Sequence, residues 1–392
     1  MSITPDLGAL ARLTAELIRI PSPSGREGAL AAFVRDWLTA RGVQAWTDRA
    51  GNLLAFSPGR EAGPGWMLLT HLDHVSVGDE ALWSHPPFAG VIEASPLGPI
   101  VHGRGAVDIK GPLAAHATLL VGLKATPPRR GVLLVAAAGE ETTGAGAAAL
   151  VENWPPVGPG AEKIPIGAVI VGEPSSNQVM LGHRGVLRVN VKLHGRAHHA
   201  SFARLGENPF FSLAILLDRI AARDPLQDVV LGADSISPTL IAVDSTSSNV
   251  TPNTVTLTLD WRTITSDSSR LSQELAALLD GLPATGVAPD AWTETSDGIH
   301  SPGFVAAPGD PLVALLTRYV ADTTGAPQAP GVWRFATDGR FTARIGVPTV
   351  GFGPGDATFA HTTEERVLAE ELALNVRVLD ALVAREAPPS PP

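Results

Sequence analysis

The sequence predicts an α/β protein whose central, mostly parallel sheet is interrupted by a small α+β domain. Three observations carry this. Apolar strand-like runs alternate with amphipathic helical segments up to residue 172 and again after about residue 300, the pattern of a parallel sheet covered by helices. The run 131–138 is almost wholly apolar, as a central strand buried on both faces requires. Between them the texture changes to a β-α-β-β-α-β series with long β-branched runs, which reads as a separate domain with an antiparallel sheet. The expected division is 1–181 with 295–392 for the first domain and 182–294 for the insert.

The elements follow in order. Helical periodicity covers 6–19 and 27–41, parted by the breaker Pro21-Ser-Pro-Ser-Gly25 and closed by Gly42 at a helix C-terminus. Strands are expected at 43–47, 52–56 and 66–71. Residues 79–102, with Pro86, Pro87, Pro96 and Pro99, read as a long structured loop. Helix 110–124, strand 131–138, helix 143–153 and strand 166–172 continue the alternation. In the insert, strand 186–193, helix 208–222, strands 238–248 and 253–262, helix 268–279 and a strand near 291–296 are expected. Helix 309–322, strand 347–352 and helix 366–385 complete the chain, and the tail Pro388-Pro-Ser-Pro-Pro392 reads as disordered.

Composition excludes several classes. There are no cysteines among the 392 residues, so disulfides, thiolate metal sites and a Cys nucleophile are ruled out. The net charge of −10 argues against a nucleic-acid surface. The longest apolar runs are too short to span a bilayer. The first residues lack the basic start and unbroken apolar stretch of a signal peptide, so a cytoplasmic location is expected.

Chemistry-bearing residues gather at the ends of the expected strands. His71 and Asp73 are two apart, so both can point the same way from a strand end, with Asp73 orienting the imidazole. Asp108 lies in a Gly-rich turn before a helix, where it could bridge two cations or simply cap the helix. Glu140 and Glu141 follow the most apolar strand. Adjacent buried carboxylates repel, and a nearby cation or protonation of one relieves the repulsion; the bland alternative is a solvated helix N-terminus. Glu173 ends the strand Ile166–Val171, and His361 follows Gly351-Phe-Gly-Pro-Gly355. The remaining histidines (74, 85, 102, 116, 183, 194, 198 and 300) are read mostly as structural. Hard oxygen donors with imidazole suit a pair of divalent cations such as Zn²⁺.

The ordered motifs Ile20-Pro-Ser-Pro-Ser-Gly25, His71-Leu-Asp-His-Val75, Gly103-Arg-Gly-Ala-Val-Asp-Ile-Lys-Gly111, Gly139-Glu-Glu141, Gly172-Glu-Pro-Ser175 and His361 resemble those of the M20 metallopeptidase family, which includes acetylornithine deacetylase and succinyl-diaminopimelate desuccinylase. The resemblance runs over nearly the whole chain. It implies a phosphorylase/hydrolase-like catalytic domain and a ferredoxin-like insert that serves as lid and dimerisation domain. It makes His71 and Glu173 ligands of one metal, Glu141 and His361 ligands of the other, and Asp108 the bridge. Glu140 is then the general base and Asp73 the partner of His71. His199, in Gly195-Arg-Ala-His-His-Ala-Ser201, would be the oxyanion donor, arriving from the partner subunit in dimeric relatives. Asn249, Arg262 and the loop Thr337, Asp338, Gly339 would face substrate. The implied cofactor is two divalent ions, zinc first, with cobalt or manganese as alternatives. The implied partners are a small-molecule substrate with a free carboxylate and a second copy of the chain, with neither nucleic acid nor membrane.

Glu at 173 leans the reading toward deacylation of an N-acyl amino acid, with a carboxypeptidase or dipeptidase as runner-up. A reading of another class rests on Gly144-Ala-Gly146-Ala-Ala-Ala149, which opens a helix after strand 131–138 and fits a dinucleotide-binding pattern. Glu140 and Glu141 stand where a pyrophosphate would lie, and that reading leaves His71, Asp108 and His361 without a purpose.

Overall fold

The computed structural model describes residues 3–283, 289–293 and 301–389. Two compact units emerge, one of residues 1–182, 306–333 and 337–392 and the other of residues 183–305 and 334–336.

In the first unit four strands run parallel at the centre of a mixed sheet. Their spatial order is Val132–Ala137, Gly65–His71, Ile166–Val171 and Thr349–Gly351. Leu53–Ser57 and then Gln44–Thr47 extend one side antiparallel, and Met180–His183 joins the other side antiparallel to Thr349–Gly351. The sheet is therefore mixed, with its parallel core confined to the middle. Every residue of Val132–Ala137 and of Gly65–His71 is buried, because helices cover both faces and a strand in that position has no polar side to spare. Helix Gly111–Gly122 packs on helices Leu7–Ile18 and Ala369–Arg385, and helix Gly339–Arg344 touches Ile166–Val171 and Thr349–Gly351.

Two segments differ from the sequence expectation. Within 79–102, a short turn of helix (Glu80–Leu82) and the strands Val91–Glu93 and Ile100–His102 replace a plain loop. The expected helix 366–385 starts instead with strand Arg366–Leu368, which pairs Ile100–His102, and only then becomes the helix Ala369–Arg385. These three-residue strands form a small sheet of their own. Runs this short carry no readable period, so tertiary pairing decides them.

The second unit holds strands Gly185–His194, Ser235–Val243, Thr254–Thr263 and Asp290–Thr293 with helices Pro209–Ala222 and Ser268–Leu279. The spatial order is Ser235–Val243, Thr254–Thr263, Gly185–His194, Asp290–Thr293, all antiparallel. Alternate residues of Thr254–Thr263 are buried. Val255, Leu257, Leu259 and Trp261 meet Leu213, Leu216 and Leu271 of the two helices in one core, the period-two arrangement of a sheet covered on one face. The end of the strand expected near 291–296, His300 and residues 390–392 of the tail lie outside the described residues.

Candidate dinuclear metal centre

The four central strands all deliver their C-terminal ends to one edge, where an open α/β sheet binds ligands. His71 closes its strand. Glu140 and Glu141 follow Ala137, Glu173 follows Val171, and His361 lies beyond Gly351. Parallel direction alone therefore brings together residues hundreds of positions apart.

The loop carrying the glutamate pair is held with unusual completeness. Four successive backbone N–H groups donate to side chains from other segments. Ala138 donates to Asn52 Oδ1 at 2.9 Å and Gly139 to Glu27 Oε1 at 3.1 Å. Glu140 donates to Asp73 Oδ1 at 3.0 Å and Glu141 to Asp73 Oδ2 at 3.1 Å. Ser24 Oγ donates to the same Asp73 oxygen at 2.7 Å. Asp73 thus locks the glutamate loop as well as flanking His71, whose Nδ1 lies 3.1 Å from the Asp73 carbonyl and 3.3 Å from its carboxylate. Burial pushes the Asp73 carboxyl up, but the hydrogen bonds from His71, Ser24 and the loop outweigh it and hold the group below its ordinary range.

Asp108 sits in an irregular turn, Ala106–Lys110, before helix Gly111–Gly122 and makes no capping bond to that helix. Its carboxylate is stretched between two imidazoles. Oδ1 is 3.0 Å from His71 Nε2, and Oδ2 is 3.2 Å from His361 Nε2. On the far side His71 Nε2 lies 3.4 Å from Glu173 Oε1, and His361 Nε2 lies 3.1 Å from Glu141 Oε1. The order Glu173–His71–Asp108–His361–Glu141 is the one a shared carboxylate between two cations needs. His361 holds a left-handed backbone, φ 63°, uncommon for a residue with a side chain and a mark of a functional constraint.

The donor set fits divalent cations. Ligand atoms of His71, Asp108 and Glu141 lie within 4.8 Å of one another, as do those of His71, Glu140 and Glu173. The carboxylates crowd each other. Burial first, then Asp338, Glu173 and Glu141, drive Glu140 far above the ordinary carboxyl value, with His71 opposing. Burial and the charges of Asp108, Glu141 and Asp338 do the same to Glu173, again against His71. Burial would depress His71, yet Glu173, Asp108 and Asp73 raise it well above its usual value. His361 is pushed up to about 10, chiefly by its bonds to Asp108 and Glu141. The surrounding carboxylates thus shift both imidazoles toward their charged form, as a place that collects positive charge would.

The loop expected to face substrate is mostly interior. Thr337 and Gly339 are buried, and Thr337 Oγ1 accepts the Gly339 N–H at 3.3 Å. Asp338 is buried, with no hydrogen bond to either carboxylate oxygen among the described residues, and Arg340 Nη2 stands 3.8 Å away. Burial lifts Asp338 to about 6. The other expected residues belong to the second unit. His199 is exposed, with Nδ1 2.7 Å from Ser201 Oγ. Asn249 is exposed and its carbonyl accepts the Ala200 N–H at 2.8 Å. Arg262 donates to both oxygens of Asp260, at 2.7 and 3.3 Å, so its guanidinium is already paired. Sequence reasoning missed Asn52, Glu27, Ser24, Arg104 and Glu365, which fix the backbone around the cluster. Ser24 and Arg104 lie inside motifs quoted for the family resemblance but were given no role of their own, and Asn52, Glu27 and Glu365 carry no local signal.

Carboxylates and imidazoles gathered at the C-terminal edge of an α/β sheet are the donors that a metal-dependent hydrolase uses. The model of Peptidase family M20/M25/M40 matches residues 67–385, and the chain belongs to that family. It is accordingly an amide-bond hydrolase. It is 29% identical to a succinyl-diaminopimelate desuccinylase of Paracoccus denitrificans (strain Pd 1222), over 96% of this chain and 97% of the relative. Its fold resembles aminopeptidase PepT from Bacillus cereus ATCC 10987, with TM-score 0.78, 19% identity and coverage of 97% and 99% of the two chains. It also resembles a Bacillus subtilis dinuclear metal binding peptidase of the M20 family, with TM-score 0.68, 14% identity and coverage of 96% and 97%. Among the described residues no helix is long and apolar enough to cross a membrane.

Proposed function

We propose that the chain is a cytoplasmic, zinc-dependent deacylase that cleaves the amide bond of an N-acyl amino acid. The carrying observation is Asp108, with one oxygen on each of two imidazoles that are each backed by a separate glutamate. His71 with Glu173 would hold one cation, Glu141 with His361 the other, and Asp108 both. When bound, the pair supplies Lewis acidity to the scissile carbonyl and acidifies water. Glu140, whose backbone N–H is held by Asp73, would in its ionised form, with the cations bound, take the proton of the attacking water. It then returns that proton to the departing amine. Asp73 fixes the angle of His71 and the path of the glutamate loop together.

The unit of residues 183–305 would be the inserted lid and dimerisation domain, with His199 as oxyanion donor and Asn249 and Arg262 toward the substrate carboxylate. A second copy of the chain is supported by the edge strand Ser235–Val243, which exposes Leu240 at 69% and Ile241 at 55%. An unpaired apolar edge is a template for another strand. A peptidase reading is supported by two solved structures of similar fold, an aminopeptidase and a dinuclear metal binding peptidase. Purified protein loaded with zinc and offered N-acetyl and N-succinyl amino acids beside dipeptides decides between them. Release of free amino acid from the acyl compounds is the expected result; turnover of dipeptides alone would remove the deacylase reading.

A further inference from the structure

We propose that Glu365 is a positioning residue of the cation centre, holding the backbone of Asp108 so that one carboxylate reaches both imidazoles. The inference rests on the reading of Asp108 as the shared ligand and adds what keeps it there. The turn Ala106–Lys110 is irregular, with Asp108 outside the helical range at φ −126° and ψ 85°. Glu365 Oε1 accepts the N–H groups of Val107 and Asp108, each at 3.2 Å. Its other oxygen accepts from Arg104 Nη1. Arg104 is 2% exposed, gives Nη2 to the Ser76 carbonyl at 3.2 Å and lies 4.9 Å over the Trp83 ring. Glu365 is itself 1% exposed.

Only a carboxylate serves this position. One end must accept two N–H groups while the other faces a buried guanidinium, and an amide would turn its own donors toward one of them. The chain course strengthens the point. Glu365 follows His361 by four residues, its carbonyl accepts the Gly103 N–H at 3.0 Å, and the next three residues pair with Ile100–His102. One short segment therefore supplies the imidazole on Asp108 Oδ2 and the clamp on the Asp108 backbone. Displacing the clamp shifts Asp108 relative to both imidazoles at once.

The test compares full-length wild type, Glu365→Gln and Glu365→Asp by Co²⁺ titration of the metal-free proteins, followed by calorimetry and by the visible absorption of bound cobalt. The metal-free melting temperature is read in parallel. Wild type should take two Co²⁺. In Glu365→Gln the affinity for the second ion should fall at least about tenfold, the loss that outer hydrogen-bond partners of metal ligands bring, with an altered cobalt spectrum. Glu365→Asp keeps the charge toward Arg104 but draws the carboxylate back from the two N–H groups, and should fall between. Two-ion binding at wild-type affinity in either variant overturns the proposal. So does an equal weakening of both ions that only follows a lowered metal-free melting temperature, which would make Glu365 a part of the core and nothing more. If Glu365→Gln does not fold, Glu365→Asp decides alone by the same criteria. Wild type that binds fewer than two ions would instead sink the dinuclear reading itself.

Discussion

At the scale of single residues, the division between ligand and base is the sharpest issue. Glu140 lies close enough to His71 and Glu173 to be a donor, yet its raised carboxyl value suits a proton carrier. Glu140→Ala should cost about 10²–10⁴-fold in kcat, the usual worth of a general base, with metal content near wild type by elemental analysis. Loss of a metal ion would return Glu140 to the ligands. Protons give a second check. With its folded value near 10 against about 6.5 for free histidine, protonated His361 stabilises the metal-free fold fully below about pH 6.5. That contribution disappears as pH rises toward 10. Asp108 is shifted the other way and gives stability that is lost in acid. Chelated protein should therefore melt lower as pH is raised from 7 to 10, while loaded protein, its imidazoles deprotonated, should not share this trend. Cation loading near pH 7 should release protons, visible as a buffer-dependent calorimetric enthalpy. A flat chelated melting curve over that window would contradict the assigned contacts of His361.

Elements set the accuracy of the centre through close backbone approach. The turn after Thr349–Gly351 lies against the end of Ile166–Val171, and a Cβ on Gly353 would fall 2.2 Å from the Glu173 carbonyl oxygen and 2.4 Å from that of Gly172. Neither is a flexible side-chain end, so Gly353→Ala must move one strand terminus. We expect a loss of about 1–3 kcal/mol, the range for overpacking, read by denaturant unfolding, together with weaker binding of the cation that uses Glu173. Unchanged cation affinity would mean that the Glu173 side chain tolerates the shift. Elements were legible in proportion to their period. Helix Ser268–Leu279 coincides with expectation, and the central strands lie within two residues of it. The strands Val91–Glu93, Ile100–His102 and Arg366–Leu368 were not legible, because each is only three residues long and the last pairs with a partner more than 250 positions away, which leaves no local pattern.

For the whole molecule, the decisive experiment is complementation. If His199 works from a partner subunit, inactive Glu140→Ala and His199→Ala proteins should regain amide hydrolysis when mixed under subunit exchange. Each mixed dimer would then contain one site with both groups intact. Failure to recover, with mixed dimers demonstrated by size and mass, would place His199 in the same chain as the Glu140 it serves or outside catalysis. Charging the exposed strand edge by Ile241→Glu should lower the dimer fraction in sedimentation while leaving the cation centre filled. A dimer that persists would move the interface elsewhere.

Sequence by itself determined the alternation of strands and helices, the change of texture that marks the second unit, and the identity of the residues that gather at the sheet edge. These follow from side-chain chemistry and local period, which are written along the chain. Only the tertiary structure decided how the gathering is enforced. Asn52, Glu27 and Asp73 grip successive N–H groups of the glutamate loop, and Glu365 grips the Asp108 turn. A carboxylate that serves a distant backbone looks like any other carboxylate in sequence, because its partner is an amide that every residue carries.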